Sequence, residues 1–175
     1  KLPGHRGKGF YAAQTFSDIP ATDGRRIQIG WFQTETRGMA FNQSMTLPLE
    51  LRLVSTTEGP RLTWHPAKEL ETLRRQGASM VRGPQELKPG MANPLENVQG
   101  ELIEIRAEFE PGTASAIELD VRGIPVVYNV ADQSVTIQKH RAPAPLRGGR
   151  QRLVLFCDRT GLEVFGSDGL SYIPL

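Results

Sequence analysis

Three carboxylates lie within the twelve residues DRTGLEVFGSDG near the C-terminus, where they could act as paired acids. Pairs of carboxylates serve many hydrolases, in which one acts as the acid and the other as the nucleophile or base. The local pattern favours a structural role instead. Asp158 begins a turn in which its carboxylate can accept an N–H two residues on, and Asp168-Gly169 is a typical hairpin turn pair. Glu163 lies between two apolar residues of an alternating segment, so it is predicted to point outward.

The single cysteine and the isolated histidines do not indicate a metal or nucleophilic site. Cys157 lies on the apolar face of an alternating segment and is predicted to be a buried, inert thiol. His65 and His140 have no metal-ligand spacing. The segment LRGGR, residues 146–150, resembles an Arg-Gly nucleic-acid segment, but one copy between two strands is predicted to be a hairpin turn. No metal and no cofactor is therefore expected.

The composition excludes several classes of protein. A hydrophobic fraction of 38% and a charged fraction of 23% are typical of a folded globular chain rather than a disordered one. A formal net charge of +2, with basic and acidic residues interspersed, does not favour nucleic acid or an anionic membrane as partner. No apolar run approaches the roughly 20 residues that span a bilayer. Because the chain opens on Lys1 rather than Met, the sequence assigns no compartment.

The elements that hold these residues are predicted to be strands, because apolar and polar residues alternate along most of the chain. In MTLPLELRLV, Met45, Leu49 and Leu53 share one face and Thr46 the other, with Pro48 indicating an edge or a bulge. The segments RRIQIGWF, ELIEIRAEFE, AIELDVRG, SVTIQ and RLVLFC follow the same alternation. Repeated strands separated by turn signals predict an all-β protein of sandwich or propeller type.

One stretch has a helical pattern. We predict a short helix over residues 67–75, in which Glu71 can pair with Arg75 at i,i+4 and Gly77 is a natural stop.

The residues after this helix divide the chain. Residues 77–99 contain three prolines and no periodicity, and they are predicted to be an ordered linker. About four strands precede the linker and seven or so follow it. Four strands form one sheet that buries too little surface by itself, so the first part is expected to need neighbours, as propeller blades do.

Four stretches, in order, resemble glycoside hydrolase family 32, which contains invertases, levanases and inulinases. They are GFYAAQTFSD, RRIQIGWF, FNQSMTLPLELRL and DRTGLEVFGSDG, and they extend over residues 10–169. The resemblance implies the last blade of a five-bladed β-propeller over residues 1–68, a helix and linker over 69–99, and a C-terminal β-sandwich over 100–175. Family members have a further strand or two after this point, so the resemblance leaves open whether the sandwich is truncated in this chain.

The resemblance also implies where the catalytic acids are. The family cleaves β-fructosidic bonds with retention, using carboxylates in motifs of the form NDPNG, RDP and EC in earlier blades. None of these motifs occurs in this sequence. We therefore expect no catalytic residue in this chain.

Two residues are candidates for binding sugar. The family places the Trp of the GW strand toward the propeller axis, where Trp31 would wall the fructose pocket; the alternative is that Trp31 is core between blades. Aromatic faces suit sugars because they bury C–H surface and leave hydroxyl groups free. Relatives carry a D-x-G triplet where this chain has His5, so His5 could hydrogen-bond a hydroxyl; the alternative is an exposed terminal histidine. Glu50 is expected to be a solvent or salt-bridge residue.

The sequence leaves two functions of different classes open. The first is the C-terminal portion of a β-fructosidase acting on levan, inulin or sucrose, which associates through residues 10–64 with missing N-terminal blades or with copies of itself. Its parent would be secreted or periplasmic. The second is a free-standing, non-catalytic module that binds carbohydrate or assembles with a partner. Catalytic motifs in the same reading frame upstream would favour the first.

Overall fold

The computed structural model describes residues 3–175, and within them it contains thirteen strands and one short helix. This confirms the all-β prediction. The strands are β1 (Phe10–Thr15), β2 (Arg26–Phe32), β3 (Ser44–Met45), β4 (Leu49–Thr56), β5 (Gly59–Pro66), β6 (Ile103–Phe109), β7 (Ala116–Val121), β8 (Ile124–Asn129), β9 (Ser134–Ile137), β10 (His140–Pro143), β11 (Gln151–Cys157), β12 (Leu162–Gly166) and β13 (Ser171–Pro174). No helix in the described residues is long and apolar enough to cross a membrane.

The strands form three antiparallel sheets. The first sheet has the order β1-β2-β4-β5, with β3 also paired to β2. The second sheet has the order β13-β12-β11-β6, and the third has the order β10-β9-β8-β7. Hairpins connect most neighbours, so the chain forms these sheets mainly through short local connections.

The main core lies between the second and third sheets, which pack face to face as a sandwich. The alternating apolar residues of β11 and β7 point into it, as the sequence predicted. Its fully or nearly buried members are Val121, Val126, Tyr128, Val135, Ile137, Ala142, Ala144, Leu153, Leu155, Cys157, Leu162, Val164 and Ile173.

A smaller core joins the first sheet to the outer face of the second sheet. It contains Leu49 and Trp64 from the first sheet and Phe165 and Tyr172 from the second. Tyr172 stacks on Phe165 with ring centroids 4.9 Å apart and on Trp64 at 6.4 Å. We call this contact the sheet junction. The second sheet is therefore covered on both faces, and burial between layers is the dominant stabilising effect.

Backbone hydrogen bonds extend the sheet junction at its edges. The Arg6 N–H donates to the Tyr172 carbonyl (2.9 Å) and the Lys8 N–H donates to the Pro174 carbonyl (2.8 Å), so the N-terminal segment runs along β13. On the other side the Trp64 N–H donates to the Gly169 carbonyl at 2.9 Å.

The MTLPLELRLV segment departs from its predicted alternation. It forms two strands, β3 and β4, separated at Pro48. Met45 is exposed, whereas Thr46 is buried and its hydroxyl accepts the Gly30 N–H at 3.0 Å. The break at Pro48 resets the register, because proline cannot donate to a sheet. The faces predicted for Met45 and Thr46 were therefore wrong, although Pro48 does interrupt the strand as the sequence indicated.

The helix is also shorter and tighter than predicted. It is a 3-10 helix over Lys68–Leu73, with no buried residue. Three residues per turn place i and i+3 together, and Glu71 accordingly pairs with Arg74 (3.2 Å) instead of Arg75. Arg74 also pairs with Glu104 of β6 at 2.7 Å, which ties the helix to the sandwich. Residues 74–102 contain no strand or helix.

Candidate functional site

Asp158 is engaged by the backbone of its own turn. Its Oδ1 accepts the N–H groups of Thr160 and Gly161, each at 2.7 Å. The Arg122 guanidinium donates to the Asp158 carbonyl at 2.5 Å and fixes the turn to the end of β7. These contacts are those of a turn-forming aspartate.

Glu163 does not point into solvent, and that prediction was wrong. Its side chain does leave the sandwich core, but the first sheet covers this outer face of β12, so Glu163 is only 5% exposed. One carboxylate oxygen accepts the Leu47 N–H at 2.8 Å, and the other accepts the Tyr172 hydroxyl. Burial raises the pKa of Glu163 to about 7. Both oxygens are used inside the protein, so this acid is closed to substrate.

The remaining acid of the motif lies in the β12–β13 turn. Asp168 and Gly169 both have positive φ (54° and 82°), as expected of a tight hairpin. The Asp168 carboxylate is 3.4 Å from an Arg152 nitrogen. A Cβ on Gly169 would lie 2.5 Å from the Trp64 carbonyl oxygen, so this turn contacts β5 directly.

Other polar residues singled out from sequence are occupied by neighbours. Cys157 is buried, and burial raises the pKa of its thiol. Glu50 pairs with Arg52 at 2.7 Å, as predicted. His65 Nε2 is 3.0 Å from the Thr63 hydroxyl. Within residues 3–175 there is no group of three or more His, Cys, Asp or Glu side chains arranged to hold a metal.

The segment 146–150 forms the predicted turn. Arg147 and Arg150 are bridged across Gly148-Gly149, and both glycines have positive φ. Arg150 pairs with Glu108 and Glu110 of the β6 region at 2.8 Å each. Its charge is thus neutralised locally.

His5 is not an exposed terminal residue. It is half-buried, and its ring meets Phe10 edge-on with centroids 5.1 Å apart. Burial, with a smaller contribution from His140, lowers the pKa of His5. The alternative prediction of an exposed histidine was wrong, and the proposed contact with sugar stays a prediction.

Trp31 lies on an exposed aromatic face of the first sheet. It is 40% exposed, beside Tyr11 at 64% and Met45 at 54%. These three residues are cross-strand partners on β1, β2 and β3, and the Tyr11 and Trp31 rings meet edge-on at 6.1 Å. Their immediate neighbours Phe10 and Phe32 point to the opposite side and are packed. We call this surface the aromatic face.

The loop between β2 and β3 forms a hollow that the sequence did not indicate. It has a volume of about 450 Å³ and is widely open. The lining residues are Thr34, Glu35, Thr36, Arg37, Phe41 and Asn42. Loop side chains of mixed type carry no periodic signal, so the pattern of the sequence could not reveal them. The hollow begins three residues after Trp31 along the chain.

Comparison with known proteins decides the family. Residues 69–173 match the model described as glycosyl hydrolases family 32 C terminal. The chain belongs to this family. The resemblance found in the four sequence stretches is thereby confirmed, and the sandwich of the second and third sheets is its C-terminal β-sandwich.

The similar proteins are levanases and related enzymes. The chain is 32% identical to a levanase of Bacillus subtilis (strain 168) over 195 aligned positions, which cover 95% of this chain and 28% of that protein. It is 30% identical to a levanase of Bacillus sp. (strain L7), covering 93% of this chain and 20% of that one. The exo-inulinase of Aspergillus awamori has the same fold with a TM-score of 0.81 at 20% identity, over 97% of this chain and 38% of that one. The chain thus spans less than a third of the length of the levanases that it matches.

Proposed function

We propose that this chain is the C-terminal part of a β-fructosidase that hydrolyses β-fructosidic bonds in levan, inulin or sucrose. Residues 1–68 provide the last blade of a five-bladed propeller, residues 69–99 connect, and residues 100–175 form the supporting sandwich. The similarity to levanases carries the proposed activity, and the observation that carries the proposed blade is the aromatic face. One side of the first sheet packs on the sandwich, while the opposite side presents Tyr11, Trp31 and Met45 to solvent. Contiguous exposed apolar residues mark a contact surface.

The similar proteins support this proposal in two ways. The two relatives named above are levanases, and both are several times longer than this chain. The catalytic acids of the family are therefore assigned to the part of such an enzyme that precedes this chain. The acids in residues 158–168 are assigned to turns and to the sheet junction, because each of them has at least one oxygen engaged there.

Within the complete enzyme we assign Trp31 to the wall of the fructose pocket. Its ring has free surface in this structure, and a flat apolar surface suits the C–H face of a sugar. The loop of residues 34–42 follows Trp31 and carries Glu35, Arg37 and Asn42, which can hydrogen-bond hydroxyl groups. We assign these side chains to the rim of the same pocket.

The test is fructose release with and without the preceding part of the enzyme. The 175-residue chain alone is expected to release no fructose from sucrose, inulin or levan, because cleavage needs both an acid and a nucleophilic carboxylate in one pocket. Joined to a matching N-terminal part from a levanase, it is expected to restore activity to that part.

A free-standing carbohydrate-binding module is the rival function, and the same preparation tests it. If the chain is such a module, levan or inulin in the gel should retard the isolated chain in affinity electrophoresis. Joining the chain to an N-terminal part from a levanase should then give no activity. Fructose release by the isolated chain, surviving repurification, would contradict both proposals.

A further inference from the structure

The sheet junction contains a buried carboxylate with no cationic partner. Glu163 accepts one hydrogen bond from Leu47 of the first sheet's β3–β4 connection and one from Tyr172 of β13. Within residues 3–175 no ion pair includes Glu163. A buried charge that is hydrogen-bonded but unpaired costs free energy when it is ionised.

The surroundings of Glu163 contain few titratable groups. On β11 its cross-strand neighbour is Phe156, and on β13 it is Pro174. Thr46 and Leu47 are uncharged. The charged and titratable groups that act on Glu163 are Tyr172, which donates its hydroxyl to the carboxylate, and Asp158, whose negative charge opposes ionisation.

We propose that Glu163 makes the attachment of the first sheet to the sandwich sensitive to pH, so that the sheet junction is strongest in acid and weakens toward alkaline pH. The geometry supports this because one side chain bonds to both layers and lies at their contact. Protonation of Glu163 removes the buried negative charge, and the carboxyl oxygen that faces Leu47 still accepts its N–H.

The direction follows from proton linkage. Burial places the pKa of Glu163 at about 7 in the folded chain, above the ordinary value of 4.5. Between these two values the folded chain holds a proton that the unfolded chain releases, so the free energy of unfolding falls as pH rises. The contribution is fully present below about pH 4.5 and is lost as pH passes through 7.

Two histidines act in the opposite direction and must be separated from this effect. Burial lowers the pKa values of His5 and His65, so their contribution to stability rises with pH through the lower part of the same range. The pH dependence of the unmodified chain is therefore a sum of opposing effects. Only a comparison between variants at position 163 isolates Glu163.

The experiment uses Trp64 to report on the sheet junction. The chain has two tryptophans, so Trp31→Phe leaves Trp64 as the single tryptophan, which can be excited selectively. Trp64 is buried at the junction and stacks on Tyr172. Urea unfolding in this background, followed by Trp64 emission at about pH 5 and about pH 8.5, gives the stability of the junction on both sides of the titration.

Glu163→Gln is the test variant, since an amide keeps the shape and an acceptor for Leu47 but cannot ionise. Glu118→Gln is the matched control on an exposed position of β7. From about pH 5 to about pH 8.5, the folding equilibrium constant of the chain with Glu163 should fall by ~10-fold or more relative to that of the Glu163→Gln variant. Glu118→Gln is expected to behave like the chain with Glu163.

Equal pH dependence in Glu163→Gln and Glu118→Gln would overturn the proposal. If Glu163→Gln does not fold, the carboxyl carbon of Glu163 is titrated by NMR in the unmodified chain. A midpoint near 7 supports the proposal, and a midpoint near the ordinary 4.5 contradicts it.

Discussion

Residues of the same type have different roles in this chain because their surroundings differ. Asp158 and Glu163 are five positions apart in one motif. Asp158 is exposed at a turn and accepts backbone N–H groups, whereas Glu163 is enclosed between two sheets. Glu163 lacks the access to substrate that a catalytic acid needs, and Asp158 is held by two backbone N–H groups of its own turn. The motif is therefore structural in both positions, by two separate mechanisms.

Substitution of Asp158 is expected to change stability and not chemistry. Asp158→Ala removes the acceptor for two N–H groups and should lower the free energy of unfolding by about 1–2 kcal/mol. Asp158→Asn keeps an Oδ1 acceptor and should lose less. In a complete enzyme the kinetics of the folded fraction should stay near those of the parent. Urea unfolding and active-site-normalised kinetics measure these effects, and loss of kcat in a fully folded Asp158→Asn enzyme would contradict the assignment.

Substitution of Trp31 tests the proposed sugar contact. In the complete enzyme, Trp31→Ala should lower kcat/KM for levan or sucrose by ~10-fold or more, equivalent to about 1.4 kcal/mol of transition-state binding. Leu53→Ala is the matched control, because Leu53 is an exposed apolar residue in the middle of β4. Unchanged kinetics for Trp31→Ala would place the ring outside the pocket.

At the scale of elements, two turns of the sandwich reach the first sheet. The turn before β12 brings Gly161 against the Phe32 ring, and the turn after it brings Gly169 against the Trp64 backbone. A side chain at either glycine would occupy space already filled by the other layer. β12 is thus held at both ends as well as through Glu163, its second residue.

Gly161→Ala should weaken this attachment. The new Cβ would lie 2.5 Å from a Phe32 ring carbon, and Phe32 is itself buried. Overpacking of this kind costs about 1–3 kcal/mol. Gly83→Ala is the matched control, since nothing lies within 4 Å of its Cβ position. Thermal or urea unfolding of the two variants measures the difference, and equal stability would show that the layers can move apart without cost.

At the scale of the whole molecule, residues 3–175 contain two cores, and one face of the first sheet is left uncovered. The sequence analysis expected the first sheet to need neighbours. The sandwich is one such neighbour, because Leu49, Trp64 and their neighbours pack on it. The aromatic face remains available for a partner.

Association through the aromatic face is the corresponding prediction. The isolated chain should bind an apolar dye and form oligomers, since exposed apolar surface drives association. Met45→Lys places a charge in this face and should reduce both effects. Leu87→Lys adds the same charge at an exposed position outside the sheets and should change neither dye binding nor oligomer formation. A monomer in light scattering that binds no dye would contradict the prediction.

The sequence by itself determined several of the strands, two turns and the family. Period-two alternation identified β2, β6, β7 and β11 and the inward face of Cys157, because a strand's side-chain period does not depend on what covers it. Ordered motifs identified family 32, and turn chemistry identified the Asp158 and Asp168-Gly169 turns.

Only the tertiary structure decided what covers each face. The alternation correctly predicted that Glu163 points away from the sandwich core, but it could not show that another sheet lies on that side. The same limit applies to His5, which meets Phe10, and to Thr46, which the break at Pro48 turns inward. Burial depends on contacts between residues far apart in the chain, such as Leu47 with Glu163, and a local pattern holds no information about such contacts.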